Sequence, residues 1–175
     1  MKNASTSLPK VTLRRAQLAD LPDIVKVHNS IIQEGGLTAD LSQYTIDEKR
    51  AWFEVVSANP YVIEILEVEN EAAGFVYVSP WRSGRAALKN VAEISYFLAK
   101  PFRGNGYGRN LLQKGIRLAC ENGIKNLLAI LLDSNMPSIR LLESEGFREA
   151  GHLPQVAELK ESVAGQVIMM KRITP

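Results

Sequence analysis

Apolar and polar positions alternate over Val11 to Arg15, and that period predicts a first strand. The period then lengthens. Ile24, Val27 and Ile31, with their neighbours Val25 and Ile32, recur at helical spacing. Asp20-Leu21-Pro22-Asp23 supplies the start, with Asp20 as cap, Pro22 in the first turn and Asp23 favouring the helix dipole. Gly35-Gly36 ends this helix, and Leu37 to Tyr44 reads as loop. Thr45 caps a second helix and Glu48 completes a capping box. Trp52, Phe53 and Val56 form its expected buried face, and Asn59-Pro60 its stop. Tyr61 to Val68 and Ala72 to Tyr77 are apolar runs around Glu69-Asn70-Glu71, a hairpin signal.

Trp81 to Lys89 breaks the pattern as an irregular excursion, and Val91 to Leu98 resumes it as a strand. A helix follows from Arg109 to Glu121, expected to bury Leu111, Leu112, Ile116 and Ala119 and to end at Asn122-Gly123. Lys125 to Leu132 is almost wholly apolar and predicts a central strand. Asn135-Met136-Pro137-Ser138 opens a short helix running to Glu145, with Gly146 behind it. Phe147 to Leu153 and Val163 to Lys171 are the last strands. The order β-α-α-β-β-β-α-β-α-β-β predicts an α/β fold: a mixed sheet with helices on both faces. No linker divides it, so residues 11–172 read as a single domain behind a flexible N-terminal lead of residues 1–10.

Composition narrows the function. A chain of 175 residues, 46% hydrophobic, supports one core. The formal charge of +2 comes without a basic block or an aromatic-interleaved Lys/Arg stripe, which argues against nucleic acid. His28 and His152 lie far apart and no Cys/His cluster has metal spacing, so no metal is expected. The lone Cys120 cannot form an internal disulfide; it falls on the apolar side of its predicted helix and reads as a small core residue. No apolar run reaches membrane-spanning length and Met1 to Pro9 is polar, so a cytoplasmic, membrane-free protein is expected.

The stretch with most chemistry is Arg103-Gly104-Asn105-Gly106-Tyr107-Gly108, between a strand and a helix. Backbone N–H groups at such a turn and helix start lack internal partners, and the helix dipole adds positive potential. Gly106 and Gly108 allow positive φ and close approach of backbone to a phosphate, while Arg103 and Arg109 add charge. A pyrophosphate is the expected ligand; a tight turn holding nothing is the plain alternative. A Walker loop needs Gly-Lys-Ser/Thr, whereas Arg109-Asn110 follows Gly108. A dinucleotide fingerprint needs G-x-G-x-x-G near the start of its domain, and this turn has neither the spacing nor the place.

The strand order with R-x-x-G-x-G at Arg103 to Gly108 resembles the GNAT superfamily of acetyl-CoA-dependent N-acetyltransferases. A second motif, Asn135-x-x-Ser138-x-x-Leu141-x-Glu143-x-x-Gly146-Phe147, supports the likeness. His28-Asn29, Thr38-Ala39, Ala51-Trp52-Phe53, Trp81-Arg82, and Glu93 ahead of Arg103 resemble the phosphinothricin acetyltransferase-like branch. The resemblance implies the GNAT acyl-CoA N-acyltransferase fold, acetyl-CoA as co-substrate, a small-molecule amine as acceptor and a homodimer. It implies cofactor contacts at Ser95, Tyr96, Phe97, Arg103, Gly104, Asn105, Gly106, Tyr107, Gly108 and Asn135. It implies substrate contacts at Arg82, Ser83, Gly84, Ala92, Glu93 and Ile94, with Glu93 as general base.

The chemistry is coherent, since an alkylammonium cannot attack a thioester until a carboxylate helps remove a proton. Arg82 and Arg85 are candidates for a substrate carboxylate, although exposed loop arginines are as plain a reading. His28 reads as a packed or capping histidine, Trp52 and Trp81 as core or pocket walls, and Arg140 as a residue on a helix face. Two positions depart from the branch. Leu142 stands where many relatives carry a tyrosine acid for the departing thiolate, leaving Tyr107, a water or no acid at all. Ala164-Gly165-Gln166 stands where the branch often has an aromatic and an Asp. The resulting expectation is an N-acetyltransferase for a small amino acid or analogue resembling phosphinothricin or methionine sulfoximine, by direct attack in a ternary complex. A protein or peptide N-acetyltransferase and a non-catalytic acyl-CoA-binding module are the alternatives.

Overall fold

The computed structural model describes residues 8–58 and 62–173. Seven strands and four α-helices follow the predicted order: β1 (Val11–Arg15), α1 (Leu21–Glu34), α2 (Ile46–Val56), β2 (Ile63–Val68), β3 (Glu71–Pro80), β4 (Val91–Leu98), α3 (Tyr107–Glu121), β5 (Asn126–Leu132), α4 (Met136–Ser144), β6 (Arg148–Glu158) and β7 (Val163–Arg172). The sheet order is β1-β2-β3-β4-β5-β7-β6. Among the described residues, only the β4–β5 pair is parallel. On one face α1 and α2 bury Leu21, Ile24, Ile31 and Phe53 against Ile63, Ile65 and Phe75. On the other, α3 and α4 bury Leu111, Leu112 and Leu142 against Ile94, Leu127 and Val167. Apolar area removed from water on both faces is the main stabilising contribution.

Local signals set the element ends. Thr45 and Glu48 form the capping box of α2: Thr45 Oγ1 accepts from the Glu48 N–H at 3.3 Å, and the Glu48 carboxylate accepts from the Thr45 N–H at 2.7 Å. Glu69 and Asn70, both at positive φ, close the β2–β3 hairpin as a two-residue turn, so Glu71 already lies in β3. Gly115 lets α3 sit close on β4, because a Cβ there would run into Ile94.

Several expectations change. Asp20 precedes α1, but its carboxylate does not cap it; it accepts instead from the Gln17 N–H and from Arg14. Cys120 is exposed, because the buried stripe of α3 runs through Leu111, Gly115, Leu118 and Ala119 and passes beside it. Ile116 is only partly buried for the same reason. Helix α3 begins at Tyr107, two residues before Arg109, and β6 continues to Glu158 rather than Leu153. Strand β5 is interior, between β4 and β7, while β4 holds the middle of the order. The N-terminal residues 1–7, the Asn59-Pro60 stop and Tyr61 lie outside the described residues.

Candidate active site

Strands β4 and β5 start side by side and then part. Their register covers Val91↔Asn126, Ala92↔Leu127 and Glu93↔Leu128 and stops there. Beyond it, the β4 edge from Ile94 onward has no strand on that side among the described residues, so backbone polar groups face a gap. A cavity of about 190 Å³ fills the gap, with Ser95, Tyr96 and Phe97 on one wall and Ala129 to Leu132 on the other. A second cavity of about 430 Å³ shares Tyr96, Phe97, Asn135 and Ser138 with it and runs to the glycine turn, where Arg103, Gly104, Gly106 and Gly108 border it. Asn135 spans this region as the N-cap of α4. Its side chain accepts from the Ser138 N–H and donates to the Leu37 carbonyl, both at 3.4 Å.

What the turn offers an anion comes chiefly from backbone. Gly106 is the N-cap of α3 at φ 83°, and Gly104 sits at φ 81°. Among the described residues, the N–H groups of positions 104–108 donate to no protein acceptor, and they gather at the positive end of the α3 dipole. The two arginines differ from expectation. Arg103 is committed to Glu34 by two bonds of 2.9 and 2.8 Å, and its Nε donates to the Leu98 carbonyl at 3.0 Å. Arg109 Nε lies 3.0 Å from Glu145. Both charges are largely met by carboxylates, so the free potential comes from the peptide groups. Asn105 is exposed and donates to the Arg103 carbonyl, and Arg140 is exposed on α4.

Tyr107 is buried in the α3-side core and borders neither of the two cavities along β4. Leu142 is 1% exposed and has no proton to give. The Tyr96 hydroxyl is a different matter: it lies buried beside Ser138 without a sound hydrogen bond to any group.

The faces of β4 separate two roles. Ala92 and Ile94 are buried on the α3 side, and Ile94 also borders the smaller cavity. Alternation puts Glu93 and Ser95 on the opposite face with Phe97, toward α1 and α2. There the rings form a continuous wall. Phe75 stacks on Phe97 at 4.8 Å between centroids, His28 meets Phe97 at 4.5 Å, and Trp52 meets Tyr77 edge-on at 5.3 Å. Glu93 is partly buried beside Tyr77, and burial with no compensating donor raises its carboxyl above the ordinary range. His28 is packed, as expected, and its Nε2 pairs with Asp40 at 3.0 Å. Arg82, Ser83 and Gly84 lie exposed in the turn after β3, with Arg82 at φ 52° over the Trp81 ring. They border neither of the two cavities along β4.

Comparison with known proteins gives this geometry its class. The model of the GNAT acetyltransferase family matches residues 27–147. The provisionally named phosphinothricin acetyltransferase YwnH of Bacillus subtilis (strain 168) is 35% identical over 150 residues, covering 85% of this chain and 91% of that protein. The L-methionine sulfoximine/L-methionine sulfone acetyltransferase of Pseudomonas paraeruginosa is 29% identical over 150 residues, covering 84% and 86%. A solved structure of yncA from Salmonella typhimurium with acetyl-CoA superposes with a TM-score of 0.88 at 25% identity, covering 95% of each chain.

The chain belongs to the GNAT acetyltransferase family. It is an N-acetyltransferase of the phosphinothricin acetyltransferase-like branch, and acetyl-CoA is its co-substrate. The residues fit that molecule: unpaired N–H groups at positions 104–108 suit a pyrophosphate, and the parted strands leave an edge for its thioester arm. Among the described residues, no three His, Cys, Asp or Glu side chains gather as a metal site, and no helix is long and apolar enough to cross a membrane.

Proposed function

We propose that the acceptor is the primary amine of a small amino acid or analogue, similar to phosphinothricin or methionine sulfoximine, acetylated by direct attack in a ternary complex. One observation carries the reading: Glu93, with no partner among the described residues, sits where β4 leaves β5 on the face of the aromatic wall. Glu93 takes the ammonium proton, directly or through one water, and frees the nitrogen lone pair. Its raised proton affinity makes it a stronger base than an exposed carboxylate. N–H groups on the free edge of β4 stabilise charge that builds on the thioester oxygen. Asn135, bonded to Leu37, fixes the loop over the gap between the strands. The wall of Trp52, Tyr77 and Phe97 suits a small acceptor better than a peptide chain, and the names of the relatives point the same way.

We also infer a homodimer working in the cytoplasm. The edge strand β6 exposes Leu153 and Val156, with Val163 exposed on β7, as a surface a second copy would cover. A single exposed cysteine suits a reducing compartment. The acceptor is tested by an assay of free thiol release from acetyl-CoA against amino acids, sulfoximines and peptides. Turnover with amino acids or sulfoximines supports the reading; turnover confined to peptides replaces it with the protein-acetylating alternative. No turnover with any amine would favour an acyl-CoA-binding module.

A further inference from the structure

We propose that Ser138, backed by Tyr96, donates the hydrogen bond that stabilises the departing thiolate, in place of the hydroxyl missing at Leu142. The inference rests on direct attack at the thioester and is indifferent to which amine attacks. Leu37, Tyr96, Phe97, Asn135 and Ser138 border both cavities and mark their junction. A thioester arm running from the glycine turn to the free edge of β4 crosses that junction. The Asn135 side chain is spent there on the Ser138 N–H and the Leu37 carbonyl. Leu37 and Phe97 have no side-chain proton to offer. The unspent protons at the junction are the hydroxyls of Ser138 and Tyr96.

The two hydroxyls lie one behind the other. Tyr96 Oη is buried and has no hydrogen-bond partner among the described residues. The hydroxyl beside it is that of Ser138. Ser138 is half-buried, and its Oγ makes no hydrogen bond among the described residues. A buried hydroxyl left unpaired costs stability. Tyr96 recovers that cost by donating to Ser138 Oγ, which turns the Ser138 proton toward the cavity. Burial raises the Tyr96 phenol, so it keeps the proton it donates. Ser138 and Leu142 are spaced to share one face of α4, and both border the smaller cavity. The donor absent at Leu142 is thus supplied one turn earlier, nearer the positive end of the helix dipole. As the acceptor nitrogen bonds to the acetyl carbon, the C–S bond breaks and its electron pair stays on sulfur. Ser138 stabilises that charge and keeps its own proton. The new amide sheds the proton that ends on sulfur, and Glu93 passes the other ammonium proton to solvent. Ser138 is then a catalytic residue and Tyr96 a positioning residue.

The test needs no acceptor: the thiol of coenzyme A bound to the full chain is titrated by its thiolate ultraviolet absorbance, with desulfo-coenzyme A as blank. Wild type should hold that thiol's pKa about one unit or more below its value in Ser138→Ala, the worth of a hydrogen bond to a charged group. Ser138→Thr keeps the hydroxyl and should titrate close to wild type. Tyr96→Phe should titrate between wild type and Ser138→Ala, yet unfold in urea no earlier than wild type, because it loses only an unpaired group. With an amine acceptor, kcat of Ser138→Ala should fall about tenfold while the KM for acetyl-CoA stays near wild type. Tyr96→Phe carries the test if the alanine variant does not fold. One thiol pKa shared by wild type, Ser138→Ala and Tyr96→Phe would overturn the proposal, whatever amine the enzyme takes. A lowered thiol pKa in a chain that acetylates neither amino acids nor sulfoximines would uphold it and overturn the acceptor reading alone.

Discussion

Two regions on either side of the β4 edge are made from different materials. The region at the glycine turn is backbone: N–H groups at positions 104–108 and the α3 dipole, with Arg103 and Arg109 tied to carboxylates. The region beneath α1 and α2 is side chain: Glu93, Tyr77, Trp52 and Tyr44, drawn from three elements and a loop. In the proposed reading, backbone groups meet the part that every acetyl-CoA presents, and backbone is indifferent to most substitutions. In the same reading, side chains meet the acceptor. One scaffold can thus keep its donor while changing its acceptor.

Substitutions in the two regions should therefore separate cleanly in kinetics. The largest effect belongs to Glu93→Gln, which keeps shape and removes the base. Its kcat/KM should fall on the order of 10²-fold or more, while calorimetric affinity for acetyl-CoA stays unchanged; full activity at neutral pH would make Glu93 structural. Gly106→Val should do the reverse. It forces a branched residue to φ 83° at the anion site, so acetyl-CoA affinity should drop at least tenfold by calorimetry, with the fold retained by circular dichroism. Unchanged affinity would break the assignment of the turn. Arg103→Ala should weaken acetyl-CoA less than Gly106→Val, because Glu34 already meets the guanidinium charge. A larger loss would move the anion site from peptide groups to the arginine. Leu142→Tyr should be smallest for chemistry: packing a ring into a filled site costs roughly 1–3 kcal/mol in urea unfolding, with no rise in kcat. A several-fold rise in kcat at unchanged stability would show that thiolate departure limits turnover.

The same contrast explains what could be read from the chain beforehand. The glycine turn, the strand before it and α3 are contiguous, so spacing and turn chemistry reveal them together. Glu93 is legible from the family resemblance, as an acid within an otherwise apolar strand. The Arg103–Glu34 pair joins positions 69 apart in sequence, and nothing local says that the turn's arginine is spoken for. Cys120 shows the limit of helical periodicity, since a residue at the border of an apolar stripe is buried or exposed according to where the sheet ends. Backbone sites follow local rules; side-chain sites depend on contacts set by the tertiary fold.

The measurement closest to the central claim is the pH profile of kcat/KM for wild type and Glu93→Gln, with one acceptor at saturating acetyl-CoA. Burial raises the Glu93 carboxyl, so the folded protein holds that proton more tightly than the unfolded chain. The charged form costs stability at neutral pH, a cost relieved as pH falls through the raised value. Activity follows the opposite sense, because the base is lost over that same interval. Wild type should show an acidic limb above the ordinary glutamate range, a limb that Glu93→Gln lacks. The deficit of the variant should narrow at high pH, where more acceptor amine is already neutral. Parallel profiles, with the same acidic limb and a constant ratio at every pH, would contradict Glu93 as the base.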